Sequence, residues 1–139
     1  MVFTPASFAT MATATGTFEV TMTPSAPEVE GAVSRMEMAK TFSGGIDGTS
    51  RGVFLSCGNP QVGEAGYVAI EVVRGRVGDQ EGSFALQQFG MMHAGSQSLS
   101  YEVVPGSGLG ALEGVTGTLQ LNMHDDGTHH YELEYEIQP

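Results

Sequence analysis

The 139-residue chain has no tryptophan, one cysteine and only five basic residues. Cys57, being alone, forms no intrachain disulfide, which points to a reducing, cytoplasmic setting rather than a disulfide-stapled secreted scaffold. Five Lys and Arg against sixteen Asp and Glu leave a formal charge of −11. Such a chain repels phosphate backbones and carries no basic stripe, so nucleic acid is not an expected partner. An anionic membrane surface is disfavoured for the same reason. No apolar run approaches the ~20 residues that cross a bilayer as a helix. The first residues, MVFTPASFATMAT, lack both a basic start and a sustained apolar core, so no signal peptide is read there. Residues 1–13 are expected to be a flexible tail, with Met11 an alternative start. Helical periodicity is also missing, apart from a turn near Glu28–Ala32.

What is present is glycine, 20 residues, about twice the usual share of roughly 7%. The rest of the chain, 14–139, reads as one domain of alternating apolar and polar residues. Phe18, Val20 and Met22 alternate with polar neighbours over Ala14–Thr23, where Pro24 is expected to end the strand, and SAPEVEGA follows as a loop. Met36, Met38 and Phe42 mark a second strand, and Ser43-Gly44-Gly45 a tight turn. The third strand, near Ile46–Ser56, is interrupted by Gly48 and Gly52, which signal bends or close backbone approach. A hairpin spans Gly66–Gly90. Leu99, Tyr101 and Val103 share one face of a sixth strand, and Leu119, Leu121 and Met123 one face of a seventh. Asp126-Gly127 then turns into an eighth strand bearing Tyr131, Leu133, Tyr135 and Ile137. Short links make these eight strands antiparallel neighbours, and closure hides both sheet edges. The fold expected is all-β, an eight-stranded antiparallel closed barrel, preferred over a two-layer sandwich.

The runs GTFEV, FSGGIDGTSRG, GYVAIE, GSFALQ, VVPGSGLGALEGVTGTL and HHYELEY, in this order, resemble the DUF3224 family of small bacterial proteins. The resemblance covers Ala14 to Ile137. It implies a barrel like that of allene oxide cyclase, and self-association. It implies no settled activity. Relatives often carry a His after the Gln of the GSF motif, where this chain has Gln88, so no role tied to that imidazole carries over.

Glu71 is the oddity of the hairpin. It sits mid-strand among Val68, Ile70 and Val72, where a carboxylate is costly to bury without partners. If Tyr67, Ala69 and Glu71 point inward, Glu71 is a candidate general acid or base, Gln87 is expected on the same inner face, and Val68, Ile70, Val72, Phe84 and Leu86 face out. A subunit interface through strands four and five would cover them. The alternative places Glu71 outside, paired with Arg74 or Arg51. In strand eight Glu132, Glu134 and Glu136 belong in water, which turns Tyr131 and Tyr135 inward with His129 near the rim. Their phenols either bind a ligand or find backbone partners in a packed core. His124, Asp125, Asp126, His129 and His130 crowd one turn, but adjacent strand residues face opposite ways, so no metal site is read there. Cys57 has no nearby base and is expected to be a small buried residue.

The function expected is a small-molecule-binding barrel. As an enzyme it would be a cofactor-independent cyclase or isomerase acting on an apolar, oxygen-bearing substrate. Glu71 would move the proton, while Tyr67, Gln87, Phe89, His129, Tyr131 and Tyr135 would hold the substrate. The alternatives are a lipocalin-type binder and a structural oligomer with a filled barrel.

Overall fold

A computed structural model describes residues 11–138, without the side chains of 26–28. The strands are β1 (Ala12–Val29), β2 (Val33–Gly44), β3 (Ile46–Asn59), β4 (Glu64–Val77), β5 (Gln80–His93), β6 (Ser96–Val103), β7 (Leu109–Gly110), β8 (Val115–Met123) and β9 (His129–Ile137). A one-turn 3-10 helix, Pro60–Val62, links β3 to β4. The hydrogen-bonded order is β4-β3-β2-β1-β9-β8-β6-β5, and β5 returns to β4. The eight long strands therefore close into an antiparallel barrel, as alternation and short links require. The two-residue β7 is an appendage on β5. Among the described residues no helix is long and apolar enough to cross a membrane.

Strand boundaries differ from expectation at β1. It begins at Ala12 and runs through Pro24 to Val29, so SAPEV is strand rather than loop. The reason is position in the barrel. Pairing of β1 with β9 ends at Phe18, while pairing with β2 continues past Pro24. Among the described residues the strand has one unpaired edge beyond Phe18, and a proline without an N–H is tolerated there. The remainder of the expected tail, residues 1–10, lies outside the described residues.

The Gly66–Gly90 hairpin turns on two residues, Gly78 and Asp79, with Val77 opposite Gln80. That turn sets the register, and it places Glu71 opposite Leu86. Directly opposed residues share a face. Leu86 and Phe84 are therefore inside, both essentially inaccessible to solvent, rather than outside. Gln87, opposite Ile70, is turned to the surface instead of the interior. Assigning Gln87 to Glu71's face was a one-residue error of register, which reverses every side chain of a strand.

The barrel is filled at one end and open at the other. At the end bearing the β2–β3 and β4–β5 turns, Phe42, Ile46, Val77, Phe84, Leu112, Val115 and Leu133 are buried together. Leu112, from the β7–β8 link, plugs that end. The other end carries the β3–β4 and β5–β6 connections and is not filled. A barrel of eight strands is at the size where either outcome is open to it, and here side-chain volume decides.

Candidate functional site

Between the packed floor and the open mouth lies a polar layer inside the barrel. Glu71 is 1% exposed. Its Oε1 accepts from Lys40 Nζ at 3.0 Å and from the Tyr101 hydroxyl, and its Oε2 accepts from Ser50 Oγ at 2.6 Å. Lys40 Nζ also donates to the Tyr101 oxygen at 2.6 Å and lies 4.5 Å from the centre of the Phe18 ring. A buried carboxylate is tolerable only with such compensation, an opposite charge plus donors to both oxygens. Gly52 makes room for it. It faces Glu71 across the β3–β4 ladder, and a Cβ there would stand 2.7 Å from that of Glu71.

Three of these partners were not read from the sequence as site residues, and two left a local signal. Lys40 falls in phase with Met36, Met38 and Phe42, all on the inward face of β2. Tyr101 is in phase with Val103. Ser50 had no such mark, being one small polar residue among several in β3. Their convergence on Glu71 joins positions 21 to 31 residues apart.

Above this layer the Tyr67 hydroxyl donates to Gln88 Oε1 at 2.9 Å. Gln88, not Gln87, is the inward amide. Tyr67 stacks on Phe54, ring centres 4.6 Å apart, and its ring lies over Gly90, where a Cβ would come within 2.8 Å of Cζ. This aromatic pair lies in a cup of about 540 Å³ at the open mouth, lined also by Met36, Met92 and Leu99. Cys57 lines the cup and is exposed, not buried as expected. At the start of β4, Glu64 Oε2 lies 2.7 Å from His93 Nδ1 and Oε1 accepts from Ala94 N, tying β4 to the β5–β6 hairpin.

The other expected site residues do not reach Glu71. Phe89 is 51% exposed on the outer wall, because β5 alternates and Gln88 is inside. Tyr131 is buried as expected, but its hydroxyl donates to the Ser43 and Ile46 carbonyls and accepts from Ile46 N at 2.8 Å. It ties β9 to the β2–β3 turn, the packed-core role. Tyr135 packs half-buried against the core. His129 stacks on Phe18 at 5.0 Å, while His130 stacks on His124 at 3.5 Å, so the two neighbours do face opposite ways.

Burial, then the negative charge of Glu71, pushes the phenols of Tyr67 and Tyr101 above their ordinary value of 10.0, Tyr101 well above it. Burial also raises Tyr131. Burial lowers Lys40 from 10.5, with Glu71 opposing. The signs set the alkaline behaviour. A phenol raised by folding keeps its proton in the native state after the unfolded chain has lost its own, so its stabilisation is present below pH 10 and lost as pH climbs toward the folded value. Lys40 acts oppositely, and its gain is complete once pH passes 10.5. Above that point only the phenols act, and stability is expected to fall. Urea unfolding midpoints at stepped alkaline pH check this. Tyr101→Phe should flatten the fall, and an equal slope in both proteins would remove Tyr101 as its cause.

The family model described as "Protein of unknown function (DUF3224)" matches residues 14–135. The crystal structure of a protein with unknown function from the DUF3224 family of Shewanella oneidensis MR-1 is 41% identical, with a TM-score of 0.85 over 94% of this chain and 99% of that one. No curated protein matches.

Proposed function

The chain belongs to the DUF3224 family, and since that description assigns no activity, we propose from its own geometry that the barrel binds a small, uncharged, largely apolar molecule in the cup at its open mouth. The cup itself carries this reading. Its volume lies within the ~300–1,000 Å³ of ligand pockets, and its walls are mostly apolar with a few polar groups, the pattern of small-molecule sites. Among the described residues no charged side chain lines it. An anionic head would find no cation there, because Lys40 lies beneath and is taken by Glu71. Methionine walls adapt to ligand shape, while the Tyr67 oxygen, its proton given to Gln88, can accept a hydrogen bond from a ligand hydroxyl. A cytoplasmic setting, where the exposed Cys57 stays a thiol, belongs to the same reading.

A neutral solvatochromic dye tests it. Saturable one-to-one binding is expected for the wild type. Leu99→Trp, which fills the cup, should weaken binding at least tenfold, about 1.4 kcal/mol, with an unchanged unfolding midpoint. Leu109→Trp, exposed at the opposite end, should bind like wild type. Equal affinity in the Leu99→Trp protein would place the dye elsewhere and end the proposal.

One observation favours chemistry as well. Tyr67 hydrogen-bonds Gln88, which packs beside the Glu71 layer, so the cup adjoins a buried acid–base network. Both Glu71 oxygens are engaged, so a cyclase or isomerase built here would have the Tyr67 phenol turn its proton from Gln88 to a substrate oxygen and stabilise developing negative charge there, with Glu71 and Lys40 behind it. Turnover lost in Tyr67→Phe with dye binding retained supports this. Turnover unchanged in both Tyr67→Phe and Glu71→Gln removes these groups from the mechanism.

A further inference from the structure

We propose that the outer face of β3, β4 and β5 docks a second copy of this chain, sheet against sheet, through the same face of that copy. Register aligns Val53 with Ile70 and Gln87 in one row, and Leu55 with Val68 and Phe89 in the next. Ile70 is 56% and Val68 46% exposed, beside the outward Phe89. The contiguous apolar surface is on the order of 400 Å², the size at which patches on soluble monomers are often functional. It forms a shallow groove of about 470 Å³. Other exposed apolar residues, such as Val62, Leu109 and Met123, are dispersed over other elements.

Charge selects the occupant. Copies of a chain at −11 repel one another from most directions. Lys40 is spent inside the barrel, and all four arginines, Arg35, Arg51, Arg74 and Arg76, are exposed on β2, β3 and β4. Arg76 is paired with Asp47, which leaves Arg35, Arg51 and Arg74 to offset acidic charge on this side. Arg35 lies opposite Leu55 and Arg51 opposite Val72, at the margins of the apolar rows, while Glu37 and Glu102 flank the central row. A rim with both signs can pair its own charges across a two-fold axis. A stable interface of ~800 Å² per partner would take in the apolar rows at its centre and this charged rim around them.

The test is the molar mass of the full chain by light scattering over a concentration series. Twice the 14.6 kDa chain mass is expected. Ile70→Lys enters a two-fold interface twice and should weaken association roughly hundredfold or more. It also makes the chain less acidic, so general repulsion cannot explain a loss. Phe89→Lys should do the same from a different strand, and decides the matter should Ile70→Lys fail to fold. Glu134→Lys, a larger charge change of the same sign on the exposed face of β9, should stay dimeric. A wild-type monomer at several hundred micromolar, or a dimer that survives both lysine variants, would overturn the proposal.

Discussion

Lys40→Met is expected to lose about 3–5 kcal/mol of unfolding free energy, because it leaves the Glu71 carboxylate buried without its cation. Glu71 is 1% exposed, so no water replaces the ammonium. Ser50 and Tyr101 still donate, but neither carries positive charge. Restoring neutrality should restore stability. In the Lys40→Met, Glu71→Gln protein the buried net charge is gone, and most of the loss should return, since exchanging a whole buried pair for neutral groups is often close to neutral. Urea midpoints of wild type, both single variants and the double variant close the cycle and yield the coupling energy. A Lys40→Met midpoint equal to wild type would mean that Lys40 does not neutralise Glu71. The pair is thus a poor source of net stability. Its effect is to forbid any arrangement of the strands that parts the two residues.

Phe42→Ala is expected to cost a similar amount, about 3–5 kcal/mol, the range for truncating a buried aromatic residue. Phe42 is 2% exposed and lies between Phe18 at 5.4 Å and Tyr131 at 5.6 Å. Closed strands cannot collapse onto the void, so the cavity term stays large. Met36→Ala, three positions along the same inward face of β2, should cost about 1 kcal/mol or less. It lines the cup, where its side chain already has open space on one side. Chemical denaturation of the two variants compares the barrel's ends directly. Similar losses would contradict the division into a filled floor and an open cup.

Period-2 alternation put Tyr67, Ala69 and Glu71 on one face of β4 and Val68, Ile70 and Val72 on the other, but with both faces largely apolar it left open which of them points inward. The Gly78-Asp79 turn carries the register of β5, and it separates Gln88 from Gln87. Phe89 looked like a ligand contact only while its face was unassigned. Tyr131 and Tyr135 were correctly turned inward, but alternation cannot say which inward phenol meets a carboxylate and which meets a backbone carbonyl.

The chain's own order of residues determined the strands, their faces, the hairpin at Asp126-Gly127 and the closure that eight short antiparallel neighbours favour. All are local, set by side-chain alternation and by which residues turn a backbone. Tertiary structure alone decided that Lys40, Ser50 and Tyr101 meet at Glu71, that Pro24 sits on a free edge, and that one end of the barrel stays open. Those outcomes depend on contacts between distant positions and on the sum of side-chain volumes inside a closed wall, quantities that no single stretch of sequence contains.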